Sequence, residues 1–117
     1  ENDVSMHHYL MPLAKAFGRL QQATAWLAQR SMANPDEAGA AACEYLRLFA
    51  LVALGYLWMR MADIGRSKRD GEEALFYQAK VDTARFYFER ILPQTGALFA
   101  SIMSGADGMM KFNDEAF

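Results

Sequence analysis

Among 117 residues there are only three prolines, two histidines and a single cysteine, and neither sign of charge dominates. One thiol, Cys43, cannot close an internal disulfide, and its setting in the small-residue run Gly39-Ala40-Ala41-Ala42-Cys43 suggests a buried, inert thiol. The histidines, His7 and His8, are adjacent and so project about 100° apart on a helix, which denies them the i,i+4 geometry of a paired metal site. Twelve basic against fourteen acidic residues give a net charge of -2, so no broad positive field is available for phosphate backbones or anionic lipid. Neither nucleic acid nor a membrane is an expected partner. The longest apolar run, Leu48–Met59, has 12 residues where a spanning helix needs about 20, and it reads as a buried helical segment. No basic, apolar and small-residue series opens the chain as a secretory signal would, so a cytoplasmic location is expected.

What is present is apolar helical periodicity. Residues of types AVILMFWYC make up 53% of the chain, enough for one domain to build a core without a covalent or metal staple. In the first pattern Leu10, Leu13, Phe17, Leu20, Thr24, Leu27 and Ser31 recur at steps of three and four, with Lys15, Arg19, Gln22 and Gln29 on the opposite line. Pro12 either opens this helix or kinks one begun near Ser5. Asn34-Pro35-Asp36-Glu37 combines a capping side chain, a proline suited to the first helical position and acids that oppose the positive dipole end, so a second helix starts there. It is expected to run to about Ala62 or Asp63. Its first half is amphipathic, with Glu37, Glu44 and Arg47 on one line, whereas Leu48–Met59 is apolar on every side and is expected to be covered on every side.

Ile64–Gly71, with two glycines and dense charge, reads as the main loop. A third helix is expected from about Glu72, with Gln78, Asp82, Arg85 and Glu89 on a solvated line opposite Phe76, Ala79, Thr83, Tyr87 and Ile91. Pro93 should bend it without ending it, giving a fourth segment that closes at Gly105 as its C-terminal cap. Residues 106–117 read as irregular. No segment alternates for long enough to be a strand, so the fold class is all-α: an antiparallel bundle of three long helices, the third bent at Pro93, in a single domain spanning residues 1–117.

Motifs that carry chemistry are few. Inward carboxylates with Glu-x-x-His pairs, which a di-iron bundle needs, are missing, as is a Gly-x-Ser-x-Gly elbow. Asp36-Glu37 and Glu72-Glu73 stand at helix starts, where the dipole accounts for them. Ser104-Gly105-Ala106-Asp107-Gly108 lacks the Lys-Ser/Thr of a phosphate loop, and Arg66, Lys68 and Arg69 read as a solvated basic loop. No catalytic, cofactor-binding or metal-ligating residue is therefore assigned in this chain. Aromatic groups on polar lines are more informative. Trp26 falls on the wet line of the first helix, while Leu51 and Trp58 continue the line that begins at Glu44, and Trp26, Leu51 and Trp58 are the candidate interface residues.

Several stretches, taken in order, resemble one family. They are Ala23-Thr24-Ala25-Trp26-Leu27, Asn34-Pro35-Asp36-Glu37-Ala38-Gly39-Ala40-Ala41, Tyr45–Tyr56, Phe76-Tyr77-Gln78-Ala79-Lys80, Ala84-Arg85-Phe86-Tyr87-Phe88, Leu92-Pro93 and the closing Asp114-Glu115-Ala116-Phe117. Together they resemble the helical C-terminal extension of a subgroup of acyl-CoA dehydrogenases, the long bacterial type that includes enzymes similar to methylmercaptopropionyl-CoA dehydrogenase. The resemblance implies a parent enzyme in which FAD accepts a hydride from the β-carbon of an acyl-CoA while a carboxylate removes the α-proton. It implies that the catalytic glutamate and the flavin and CoA contacts belong to an upstream core of the same polypeptide, and no position of this chain matches those motifs. A start at Glu1-Asn2-Asp3 without an initiator Met fits a C-terminal piece of a longer chain.

The expected role is a non-catalytic accessory or oligomerisation domain, packed on that core or on a neighbouring subunit of a homo-oligomer. The alternative is the ligand-binding and dimerisation half of a helical transcription regulator, with a small basic DNA-binding domain upstream. A free-standing catalytic bundle ranks third for want of a metal or nucleophile set.

Overall fold

The structure is a computed structural model in which residues 6–68 and 70–106 are described. Four α-helices succeed one another: α1 (His7–Ala33), α2 (Asp36–Ser67), α3 (Ala74–Phe86) and α4 (Thr95–Met103). A π-helical turn, Tyr87–Ile91, and a 3-10 turn, Leu92–Gln94, join α3 to α4 as one bent rod. No strand occurs among the described residues, and the all-α bundle of three long rods is as the periodicity predicts.

α1 begins at His7 with Pro12 inside it, so the helix starts before the proline and carries it in its second turn. At the next junction the Asn34 side-chain oxygen accepts the Asp36 N–H at 3.1 Å, and Asp36 and Glu37 occupy the first turn of α2. α2 then outlasts the expected end at Ala62 or Asp63 and continues to Ser67, taking Ile64 to Ser67 out of the expected loop. The reason lies in packing. A Cβ on Gly65 would stand 3.0 Å from both the Tyr77 carbonyl oxygen and the Val81 methyl, so the glycine permits close approach to α3 and does not break the helix. Asp63 and Arg66, 3.6 Å apart, and the Ser67 hydroxyl, donating to the Ile64 carbonyl, support that last turn.

α3 starts at Ala74, two residues later than expected, with the Glu73 carbonyl accepting the Tyr77 N–H at 3.1 Å. Gln78 bonds to Asp82 at 2.9 Å and Arg85 to Glu89 at 3.0 Å, along the line expected to be solvated. The bend begins before Pro93: widening to π geometry at Tyr87–Ile91 and tightening at Leu92–Gln94 accommodate a ring that cannot donate to the ladder. Gly105, at φ 79°, closes α4 in the left-handed conformation that favours glycine. Ala106 is the last described residue, so the rest of the tail expected to be irregular lies outside the described residues.

α2 is the central rod and packs against α1, α3 and α4, whereas α1 meets the α4 end of the bent rod far more than α3. Leu13, Ala16 and Leu20 of α1, Leu48 and Val52 of α2, Tyr87 and Phe88 of the π turn, Leu92 and Ile102 form the core. Tyr9 closes one end, edge-on to Phe88 with centroids 5.0 Å apart. The body measures 64 × 32 × 16 Å, and its radius of gyration of 18.5 Å exceeds the roughly 13 Å of a compact domain this long.

A thin body leaves one side of its central helix bare. The expectation that Leu48–Met59 is covered all round is overturned: Leu48, Val52 and Gly55 are buried, but Phe49, Leu54, Tyr56 and Leu57 are exposed. Three rods enclose only the inward line of α2, and the described residues supply no fourth rod. By length and composition α2 also suffices to cross a membrane, with 22% of its most apolar window buried in the bundle.

Candidate functional site

Trp26, Leu51 and Trp58 are each half-buried against the core and do not stand out from it. The Trp26 ring carries the Arg30 guanidinium 4.6 Å above its centroid and packs near Gly105, at the junction of α1 and α4. Leu51 and Trp58 lie seven residues apart on one line of α2. The Leu51 carbonyl accepts the Tyr87 hydroxyl at 2.5 Å, and burial pushes that phenol up to about 12. Met109, Met110 and Phe112, which the sequence offers as cover for a tryptophan, lie outside the described residues.

An exposed apolar groove lies elsewhere. Leu10, Ala14 and Phe17 of α1 and Phe49, Ala53 and Tyr56 of α2 wall an open groove of about 550 Å³, floored by Leu13, Leu20 and Val52. Its lining is apolar but for the Tyr56 hydroxyl. Beyond its α2 wall the apolar surface continues over the outer side of α2 through Leu46, Ala50, Leu54, Leu57, Met61 and Ile64, all exposed. Periodicity shows that α2 is apolar all round, but which side the bundle leaves open depends on where α1 and α3 dock.

A second cavity, of about 520 Å³, opens where the N-terminal end of α1 diverges from α3. His8, Tyr9, Arg66, Asp82, Arg85 and Glu89 line it, so its charges are of both signs. Burial raises the Tyr9 phenol above its ordinary value, opposed by the nearby Arg85 and Arg66. His7 and His8 are exposed, as expected of a helix start. Cys43 is exposed, contrary to the buried thiol expected from its alanine-rich turn: Ala41 takes the inward line and Cys43 falls on the outer side of α2. No group of three potential metal ligands occurs among the described residues.

Polar residues that sequence reasoning assigned to solvated lines prove to be struts. Glu37 accepts the Ala106 N–H at 3.0 Å and lies 4.0 Å from Arg30, tying the exit of α4 to the start of α2. Arg19 donates to the hydroxyl of fully buried Thr95 at 3.0 Å, pinning α1 to the start of α4. No local signal marks either pair, because the partners are 69 and 76 residues apart. In the expected basic loop, Arg66 pairs with Asp63 and the Lys68 ammonium sits 5.5 Å from the Tyr77 centroid, while Arg69 lies outside the described residues.

The described residues thus form a helical domain with interior struts and a bare apolar side. The family model described as Acetyl-CoA dehydrogenase C-terminal like matches residues 1–113, and the chain belongs to that family. No curated protein matches it. The family confirms the expected kinship with acyl-CoA dehydrogenase C-terminal domains and lends nothing to a transcription regulator.

Proposed function

We propose that this chain is the non-catalytic accessory and oligomerisation domain of an FAD-dependent acyl-CoA dehydrogenase, a flavoprotein of fatty acid metabolism. The parent reaction is α,β-dehydrogenation of an acyl-CoA thioester by an upstream core in the same polypeptide. The observation that carries the reading is the continuous exposed apolar surface of α1 and α2 on a domain of this family. Its partners are that core and further copies of the enzyme in a cytoplasmic homo-oligomer, with neither nucleic acid nor membrane among them. The faces that make these contacts include Trp26, Leu51 and Trp58, each half-buried against the core.

The described residues do not fit a flavin. The apolar groove offers a diphosphate nothing polar beyond the Tyr56 hydroxyl, the polar cleft pairs its arginines with carboxylates, and Gly105 ends a helix where a phosphate loop would open one. The flavin belongs to the parent core, and residues of this chain brace the assembly around it.

The mass and visible spectrum of the native protein carrying this segment test the proposal. A subunit several times the mass of this chain, with flavin bands that bleach on addition of acyl-CoA, is the expected result. A colourless protein of roughly twice this mass, with a basic DNA-binding domain upstream, sinks it.

A further inference from the structure

The α2 wall of the apolar groove ends in a charge. Phe49, Ala53, Tyr56 and Arg60 follow one another at steps of four, three and four, so they share one line of the helix. The first three line the groove, and Arg60 stands one turn beyond, at its mouth. Its guanidinium donates to the Tyr56 hydroxyl at 3.5 Å and lies 6.0 Å from the centre of that ring, so the arginine folds back towards the groove. Arg30, Arg66 and Arg85 each have a carboxylate within 4.0 Å, whereas among the described residues none stands that close to Arg60. A guanidinium carries five N–H donors in a fork that matches a carboxylate, and the Tyr56 hydroxyl takes one of them.

The shape fits a slender molecule. The α1 wall runs Leu10, Ala14, Phe17 and the α2 wall Tyr56, Ala53, Phe49, so each sets a small residue midway between two large ones. The helices are antiparallel, with Leu13 against Gly55 and Thr24 bonded to Tyr45, which brings the two alanines to the same level. The concavity of about 550 Å³ is of the size that holds small ligands. Eleven residues separate Arg60 from Phe49, about 16 Å at 1.5 Å per residue. An extended alkyl chain advances about 1.3 Å per carbon at ordinary bond lengths and angles, so about 10–12 carbons run from the guanidinium to the Phe17–Phe49 end.

We propose that the groove binds an n-alkyl carboxylate of this length, a medium-chain fatty acid, with its carboxylate on Arg60 and its chain between Ala14 and Ala53 over Leu13 and Val52. Tyr56 accepts from Arg60 and donates its own proton to the acid. An apolar trough with a cation at one mouth is complementary to a molecule with an apolar tail and one anionic end, and to neither an alkane nor a polyanion. The site goes beyond the accessory-domain reading and does not rest on it.

Calorimetric titration of the full-length native protein with dodecanoate, octanoate and dodecanol is the test. Dodecanoate is expected to bind once per chain and at least tenfold tighter than dodecanol, with octanoate weaker by about twofold to fourfold for each methylene lost. Arg60→Met keeps an apolar stem without the charge and should weaken dodecanoate about tenfold while leaving dodecanol unchanged. Ala14→Phe fills the slot and should abolish both. Ala14 and Arg60 are exposed, so both variants keep the core intact, which an unchanged melting temperature checks. Absence of dodecanoate binding below its micelle-forming concentration overturns the proposal. So does equal binding of dodecanoate and dodecanol, or dodecanoate binding that both variants leave intact, which would put the acid elsewhere in the native protein. A colourless protein that binds dodecanoate as expected refutes the dehydrogenase reading and leaves the site standing, whereas a flavoprotein whose dodecanoate binding ignores Arg60 and Ala14 refutes only the site.

Discussion

The phenol of Tyr87, in the π turn, donates a 2.5 Å hydrogen bond to the main-chain carbonyl of Leu51, 36 residues earlier at the middle of α2. The carbonyl of a helical residue has a second lone pair after its own ladder bond, so this contact fastens the bend of the long rod to the central helix without breaking α2. Tyr87→Phe keeps the ring packing and loses the bond, which is expected to cost about 1 kcal/mol. Thermal melting of the two proteins measures it.

The same phenol predicts an alkaline dependence. Burial pushes its pKa from 10.0 to about 12, so between those values the folded chain holds a proton that the unfolded chain releases. Its contribution is fully present below pH 10 and is lost as pH rises towards 12. The melting-temperature gap between the wild type and Tyr87→Phe should therefore narrow across that window. A constant gap would show that the phenol does not titrate as its burial requires.

Two glycines of α2 should respond oppositely to the same change. Gly65→Ala forces a Cβ to 3.0 Å from the Tyr77 carbonyl, a main-chain atom that cannot swing aside, and is expected to cost about 1–3 kcal/mol. Gly39→Ala meets nothing within 4 Å on an exposed helical turn and is expected to gain about 0.5–1 kcal/mol. Denaturant midpoints with unchanged slopes report both signs.

Glu37→Ala removes the acceptor for the Ala106 N–H and should cost about 1–2 kcal/mol, most of it from that charge-assisted bond. The Arg30 contact adds little, since it spans 4.0 Å with Arg30 half in solvent. Amide exchange read at Ala106 should accelerate about tenfold or more, with α3 unaffected.

On α2, two leucines separate the core from the outer face. Leu48→Ala empties a fully buried site and is expected to cost about 2–5 kcal/mol at any protein concentration. Leu57→Ala, at a residue 49% exposed, should change the dissociated chain by no more than about 0.5 kcal/mol. Its effect should instead emerge in the assembled protein, as a melting temperature that falls on dilution faster than that of the wild type.

The amino-acid sequence by itself determined the helices, the Asn34 junction, the bend near Pro93 and the Gly105 terminus, because capping, dihedral restriction and apolar period act over a few residues. Residue patterns also sufficed for the family, since that kinship is written in their order. Tertiary structure alone decided that α2 continues through Gly65, that Cys43 is exposed, and that Glu37 and Arg19 reach across the bundle. It alone decided which side of an evenly apolar helix is left open. Each of these depends on which neighbour stands opposite, and residues dozens of positions apart become neighbours only when the rods pack.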